Sequence, residues 1–223
     1  MSVIGTFNGQ NIIGLPCDTV DAVHPSSIEF DPIEKVEQNE SIYTGQTQTY
    51  DLMTSLWSGT ISLPPMYRAD ADAWQSFILS LRGMSNYFLL GDPTAATPRG
   101  PATGTPVVSG AGQTGYSLNT RGWTPSTSAI LQAGDYIQVG SLSTLSAGYA
   151  PRLYRLTANA ATDATGDATL SIWPNLRDLP ADGTAIITTS CVGMMRLAQN
   201  QGNSYSSNPG SYGVNGIRFR EAI

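Results

Sequence analysis

The chain has 223 residues, of which 40% are hydrophobic and only 13% are charged, and it contains 23 glycines and 14 prolines. This composition excludes wholesale disorder and favours many short strands joined by tight turns, so we expect a mainly β fold. The net charge of −6 excludes the basic surface on which tight binding of nucleic acids depends.

Cysteine content and hydropathy exclude further classes of protein. Cys17 and Cys191 lie far apart and form neither a metal-binding pair nor a disulfide framework, so we expect two small buried thiols. The first residues have no basic region, and nowhere does the chain contain about 18 consecutive apolar residues. We therefore expect neither a signal peptide nor a membrane span.

The first predicted elements in the chain are strands. Ile28 and Phe30 alternate with polar residues, which indicates a strand with one apolar face. Residues 57–63 alternate in the same way, and the pattern ends at residues 64–65, which are two prolines that cannot donate hydrogen bonds to a sheet.

Residues 69–82 have the most convincing helical pattern. Arg82 in the last turn and Gly83 after it fit the C-terminus of a helix. We expect the apolar side of this helix to pack on a sheet. Its apolar residues recur with helical spacing and form one stripe, which consists of Trp74, Phe77, Ile78 and Leu81.

A change of composition divides the rest of the chain. Residues 93–104 are rich in proline and small residues, and we interpret them as a linker. Residues 105–197 contain several short strand patterns with little charge, so we expect an inserted peripheral β-domain, either a sandwich or a small barrel. Residues 1–95 and 198–223 then form one β-rich domain that contains the helix.

The last strand pattern is the reason why we assign the first and last parts of the chain to one domain. Residues 214–222 alternate apolar and polar side chains after a polar loop at residues 199–211, so this strand needs a sheet. Arg218 and Arg220 lie on one face of it. We expect these two arginines to contact the acidic first part of the chain.

Two motifs resemble cofactor or catalytic sites but lack the context that such sites need. Residues 110–115 match the pattern G-x-G-x-x-G, yet no helical period follows, as a dinucleotide site requires. His24 is the only histidine and has no convincing catalytic partner, and metal-binding spacings are missing. We therefore expect no catalytic residue, no cofactor and no metal.

Two other features have both a structural and a functional interpretation. Residues 163–167 offer carboxylates beside a glycine, as a calcium loop does, but a hairpin turn explains them with fewer requirements. Five aromatic residues of the second domain could form a sugar-binding platform, although core packing is the favoured interpretation: Trp123, Trp173, Tyr136, Tyr149 and Tyr154.

Several segments carry a resemblance to a known family. The most specific span begins with Leu-Pro-Pro-Met at residues 63–66 and ends with Gly-Asp-Pro at residues 91–93. In this span and in further segments the chain resembles minor tail proteins of long non-contractile-tailed bacteriophages, of the distal tail protein kind. The further segments are residues 43–62, 131–139, 163–174 and 217–223.

This resemblance implies a structural virion protein without an active site. It would be made in the host cytoplasm and would form a homo-oligomeric ring at the tail tip or baseplate, with a hexamer as the expected size. The ring would join the tail tube protein to the receptor-facing hub and the tape-measure protein, and DNA would pass through it without specific binding. The implied fold is a β-rich ring domain with a helix and an inserted peripheral β-domain.

Two other functions stay open at this stage. A carbohydrate- or receptor-binding module without a ring role would expose the aromatic residues of the second domain to a host-surface glycan. A small glycosidase would need a cleft with two carboxylates at a suitable distance. Ring formation, inhibition by free glycans and turnover of polysaccharide distinguish the three functions.

The acidic first part of the chain gives a further expectation for a ring. Residues 1–67 contain one lysine and eight carboxylates, which is a net charge of −7. We expect Glu34, Glu37 and Glu40, which are spaced three residues apart, to line the channel. There they would repel DNA phosphates over a Debye length of about 8–10 Å. A solvated acidic surface is the alternative explanation.

Overall fold

The computed structural model describes residues 2–18, 23–200, 205–208, 211–214 and 216–223, and the chain is mainly β, as its composition predicts. Short 3-10 helices lie at Pro16–Asp18, Pro93–Ala95 and Leu142–Ala147. In chain order, the other elements are β1 (Val3–Phe7), β2 (Gln10–Ile13), β3 (Ser27–Glu40), β4 (Thr47–Ser62), α1 (Arg68–Ser80), β5 (Tyr87–Leu90), β6 (Gly104–Val108), β7 (Gly115–Trp123), β8 (Tyr136–Val139), β9 (Arg152–Leu156), β10 (Ala168–Leu176), β11 (Ile186–Ile187), β12 (Gly193–Leu197), β13 (Tyr205–Asn208), β14 (Ser211–Val214) and β15 (Ile217–Glu221).

A seven-stranded sheet has the order β1-β2-β5-β12-β15-β4-β3. β2 and β5 pair in parallel, and the other neighbours pair antiparallel. One face of the sheet is apolar, and Trp57, Ile61 and Phe219 are almost fully buried there. Gly59 on β4 pairs with Phe30 on β3, and a Cβ at this glycine would come within 1.8 Å of the backbone carbonyl oxygen of Glu29 on the same neighbouring strand. Only glycine therefore lets the two strands pair at this point.

Helix α1 packs on this sheet with the predicted apolar stripe. Trp74, Phe77 and Leu81 are buried, and the rings of Trp74 and Phe77 meet edge to face with centroids 5.9 Å apart. The helix ends at Ser80, before the predicted end at residue 82. Arg82 and the residue after it have positive φ angles, and this left-handed backbone stops the helix.

The second sheet has six strands in the order β11-β8-β9-β10-β7-β6. It is a nearly closed, barrel-like sheet, and a bridge between Val107 and Ala185 links the ends of this order. We call it the barrel. Its interior is apolar and includes Leu118, Ile137 and Leu170, each fully buried. Of the two architectures that the sequence left open for this part, the barrel is the one observed.

The boundary between the two parts differs from the predicted one at residue 197. Strand β12 pairs with β5 and β15 in the seven-stranded sheet, so the inserted part ends before residue 193. Gly193, Met194 and Met195 are all buried. A strand that is covered on both faces lacks the alternation that would have marked its sheet.

The segment before the last strand also differs from its prediction. The predicted loop at residues 199–211 lies partly outside the described residues, and its described part contains β13, which pairs with β14. The predicted strand at residues 214–222 corresponds to β15, which begins later, at Ile217.

The predicted linker at residues 93–104 is held firmly to the barrel. The buried carboxylate of Asp135 accepts hydrogen bonds from the backbone N–H groups of Arg99 at 3.0 Å, Gly100 at 3.2 Å and Gln132 at 2.8 Å. Burial acts to raise the pKa of Asp135, but these hydrogen bonds outweigh it and the pKa is lowered. The crossing into the barrel is therefore fixed rather than loose.

Buried polar contacts join the barrel to the seven-stranded sheet. Glu221 on β15 is fully buried, binds the guanidinium of Arg177 and accepts the backbone N–H of Trp57 at 3.1 Å. Close by, the Ser55 hydroxyl donates to the Asn175 side chain at 2.7 Å. Burial raises the pKa of Glu221, while Arg177 and then Arg152 act in the opposite direction. A buried ion pair between Glu221 and Arg177 therefore joins the two sheets.

Replacing Phe77 by alanine tests whether the helical stripe is core. Phe77 is fully buried and touches Phe88, so we expect Phe77→Ala to lower the free energy of unfolding by about 3–5 kcal/mol. Leu79 on the same helix is 70% exposed, and Leu79→Ala is the control with an expected change below about 1 kcal/mol. Urea denaturation measures both, and equal effects would contradict a buried stripe.

Replacing Glu221 by alanine tests the contact between the two sheets. The change leaves Arg177 without its buried partner and Trp57 N–H without an acceptor, so we expect a loss of about 3–5 kcal/mol in the free energy of unfolding. The exposed Glu29 on β3 is the control, because Glu29→Ala removes a solvated carboxylate. A loss below about 1 kcal/mol for Glu221→Ala would show that the pair does not join the sheets.

Candidate functional site

The ends of β3 and β4 project from the molecule as a two-stranded arm, which we define as residues 36–51. Strand β15 pairs with β4 only at residues 58–61, so no third strand of the sheet accompanies the pair farther out. Every residue of the arm is exposed. At its base, Trp173 Nε1 donates to Glu34 Oε1 at 2.5 Å, and the hydroxyl of Tyr116 lies 3.4 Å from Asp51 Oδ2.

The arm exposes apolar side chains that a monomer would normally bury. Ile42 and Tyr43 at its end are 96% and 98% exposed, and Tyr50 is 49% exposed. A two-stranded ribbon is only marginally stable in water by itself. Its exposure and composition therefore suit contact with another surface.

The three glutamates of the predicted channel do not share one face of the arm. Glu34, Glu37 and Glu40 lie on the single strand β3, where neighbouring side chains alternate between faces. Beyond the irregularity in pairing between Lys35 and Val36, Glu37 and Glu40 therefore lie on opposite faces, whereas Glu34 lies on the other side of that irregularity. Glu34 is also held at the base by Trp173. Lining of a channel stays a prediction, and only one face of the arm can meet that channel.

The two faces of the arm differ in chemistry beyond its base. Glu40 pairs with Thr47, and Gln38 and Thr49 beside them are also exposed and polar. We call this the polar face. On the opposite face Glu37 pairs with Tyr50, which places a carboxylate beside an exposed aromatic ring. We call this the docking face.

Three arginines lie together on the face of the seven-stranded sheet opposite Trp57, Ile61 and Phe219, and we call them the arginine patch. Arg196 on β12 lies directly opposite Arg220 on β15, and Arg218 is exposed on the same face. The predicted contact with the acidic first part of the chain was drawn from Arg218 and Arg220 alone. Arg196 was missed because the register of β12 against β15 leaves no local signal in the sequence.

The arginine patch faces the acidic strand β3 across β4. Arg220 is in register with Ser58 and Asp31, and Arg218 is in register with Thr60 and Glu29. Two strand spacings of about 4.8 Å each separate these arginines from the carboxylates on β3. No ion pair among the described residues includes an arginine of the patch. The buried Nε atoms of Arg196 and Arg220 have no hydrogen-bond partner.

An apolar cleft of about 660 Å³ lies on the apolar face of the seven-stranded sheet, the face opposite the arginine patch. His24, Cys17 and Cys191 line it together with mostly apolar residues such as Trp74. Cys17 is partly buried rather than buried as predicted. Burial raises the pKa of the Cys191 thiol to about 12, so this thiol is protonated at neutral pH and is a poor nucleophile.

The motifs with possible cofactor chemistry have structural roles. Residues 110–115 connect strands β6 and β7 without a helix, so they cannot form a dinucleotide site. Asp182 holds this loop, because it accepts the N–H of Gly110 at 2.8 Å and pairs with Arg121 at 2.6 Å. The hydrogen bond from Arg121 is the main reason why the pKa of Asp182 falls to about 2.

Residues 163–167 form a turn, which is the favoured interpretation, and the turn uses its own carboxylate. Asp163 Oδ1 accepts the N–H groups of Thr165 at 2.8 Å and Asp167 at 2.9 Å. These hydrogen bonds, that from Asp167 first, lower the pKa of Asp163. Among the described residues, no group of three or more His, Cys, Asp or Glu side chains could hold a metal ion. No helix in these parts of the chain is long and apolar enough to cross a membrane.

The aromatic residues of the second domain pack in the interior. Trp123, Tyr136 and Tyr154 are at most 5% exposed, and the partly buried Trp173 packs edge to face on Trp57 with ring centroids 4.4 Å apart. Tyr149 is also partly buried. Core packing, the favoured interpretation, is confirmed for the three buried rings, and these rings offer no platform for a sugar.

Comparison with known proteins leaves the function to be argued from the chain itself. No protein-family model matches this chain, and no curated protein matches it. The arm and the arginine patch are therefore the surfaces from which a function can be inferred.

Proposed function

We propose that this chain is a structural protein of a bacteriophage tail tip that assembles into a ring. The ring joins the tail tube to the receptor-facing hub and lets DNA pass. The observation that carries the proposal is the arm, which exposes Ile42, Tyr43 and Tyr50 beyond the body of its own chain. Exposed apolar side chains are unfavourable in water, and an assembly can bury them against a neighbouring copy.

The arrangement of the two sheets supports this proposal. The resemblance to distal tail proteins implies a β-rich ring domain with a helix and an inserted peripheral β-domain. Here the seven-stranded sheet carries helix α1, and the barrel is inserted between β5 and β12, which are neighbours in that sheet. An insertion of this kind leaves the sheet intact and places the barrel at its side.

The charge of the polar face fits a surface along which DNA moves. Glu40 is exposed there beside Thr47, and the chain as a whole has a net charge of −6. In the ring the polar face borders the channel and Glu40 repels DNA phosphates over about one Debye length, 8–10 Å. Repulsion of this range keeps a passing duplex in solution rather than on the wall.

Measurement of the assembled particle tests the ring. Light scattering after size-exclusion chromatography and negative-stain microscopy of the purified chain are expected to show a closed ring with a central opening. A matched variant in which Asn-Gly replaces residues 36–53 removes the whole arm, keeps a favourable two-residue turn between the paired residues Lys35 and Thr54, and is expected to stay monomeric. A chain that is monomeric at all concentrations, or that hydrolyses polysaccharide or binds free glycans as a monomer, would contradict the proposal.

A charge reversal on the polar face tests the passage of DNA. We expect rings of Glu40→Lys to bind a short DNA duplex with an affinity that falls as salt is added, because the repulsion is replaced by attraction. Asp72→Lys, on the exposed side of helix α1, makes the same change of charge away from the arm and is the control. Gel-shift titrations at two salt concentrations compare the rings. Equal affinities for both variants would place Glu40 away from the channel.

A further inference from the structure

The arginine patch has an electrostatic cost that its own chain does not relieve. Arg196 and Arg220 are directly opposed on neighbouring strands, and like charges in this position repel. Both are partly buried, and their buried Nε atoms lack hydrogen-bond partners. A carboxylate brought to this surface would relieve the repulsion.

The docking face of the arm carries the groups that a guanidinium binds. Glu37 and Tyr50 are cross-strand partners, so a carboxylate and an aromatic ring lie side by side. A guanidinium can pair with the carboxylate and stack on the ring at the same time. Tyr50 is half exposed, and Glu37 is exposed and takes part in no ion pair among the described residues.

The arm cannot reach the arginine patch of its own chain. Asp31 is in register with Ser58 and Arg220, and Glu37 lies about 20 Å farther along the extended strand β3. The strand is also fixed at the base of the arm by the contact between Glu34 and Trp173. The occupant that offers this docking face to the patch is therefore a second copy of the chain.

We infer that the arm of one copy docks on the arginine patch of the next, where Glu37 and Tyr50 contact Arg218 and Arg220. This inference rests on the proposed ring and names the contact that builds it. Arm and patch are different surfaces. Each copy therefore docks its arm on one neighbour and binds the arm of its other neighbour on its own patch. Contacts of this head-to-tail kind close into a ring when the rotation between copies allows it.

Charge favours the arm over DNA as the occupant of the patch. Glu29 and Asp31 lie on the same face of the sheet, two strands from the arginines, and the whole chain is acidic. A DNA backbone laid across this face would meet those carboxylates as well as the arginines. The narrow arm can cover β12 and β15 without covering β3.

Charge reversals on the two surfaces test the contact. Glu37→Arg and the double variant Arg218→Glu with Arg220→Glu are each expected to raise the concentration needed for assembly at least about tenfold, because each places like charges together. An equimolar mixture of the two variants is expected to assemble as the wild type does. When the two variants alternate around the ring, every arm meets a patch of the opposite charge.

The controls separate this contact from folding and from general charge. Glu40→Arg makes the same change on the opposite face of the same arm, and it is expected to leave the concentration for assembly unchanged. Circular dichroism checks that each variant is folded. Arg218→Glu alone, at an exposed position, replaces the double variant if the partly buried Arg220 does not tolerate a carboxylate.

The outcomes distinguish this inference from the proposed function. A wild-type ring whose assembly is unaffected by either reversal would overturn the inference and leave the ring intact. Variants that fail to assemble and are not rescued by mixing would overturn the pairing of these residues. Normal assembly with loss of binding to a DNA duplex in the arginine variant would assign the patch to DNA. A wild-type chain that never assembles would overturn the ring and the inference together.

Discussion

The buried carboxylate of Glu221 is the contact on which the arrangement of the two sheets depends. Its strand, β15, lies inside the seven-stranded sheet, and its side chain binds both Trp57 of that sheet and Arg177, which follows β10 of the barrel. A carboxylate is tolerated away from water only when it is paired. Any displacement of one sheet against the other would leave Glu221 and Arg177 buried and unpaired, so the contact fixes a single arrangement.

Contacts beside Glu221 fix the base of the arm. Ser55 and Trp57 belong to β4, and both bind partners in or beside the barrel just before this strand leaves the sheet. Glu34 on the paired strand is held by Trp173 in the same region. The arm therefore projects from a base that is fixed on two strands, although its own end has few contacts. A fixed base reduces the conformational entropy that an assembly contact would otherwise lose.

The parts of the fold that the sequence predicts are those with a local pattern. The stripe of α1 has helical spacing, and the predicted alternation from residue 57 onward is observed in β4, since both patterns depend only on neighbouring residues. Strand β12 could not be assigned to its sheet, because it is buried on both faces and its partners lie more than 20 residues away in the sequence. Arg196 of the arginine patch was missed for the same reason, because the register of distant strands is a tertiary property, whereas the local alternation already placed Arg218 and Arg220 on one face.

The glutamates of the arm lie on two different faces because their spacing of three residues falls on a strand. Residues three apart share a face of a helix, whereas on β3 they fall on opposite faces. The arm therefore presents Glu37 beside Tyr50 on one side and Glu40 beside Thr47 on the other. One side pairs a carboxylate with an aromatic ring, which suits a protein contact, and the other side is mostly polar beyond Val36. A ribbon of two strands can thus face a neighbouring copy and open solvent at once, and this is the geometry that a channel wall built from separate subunits requires.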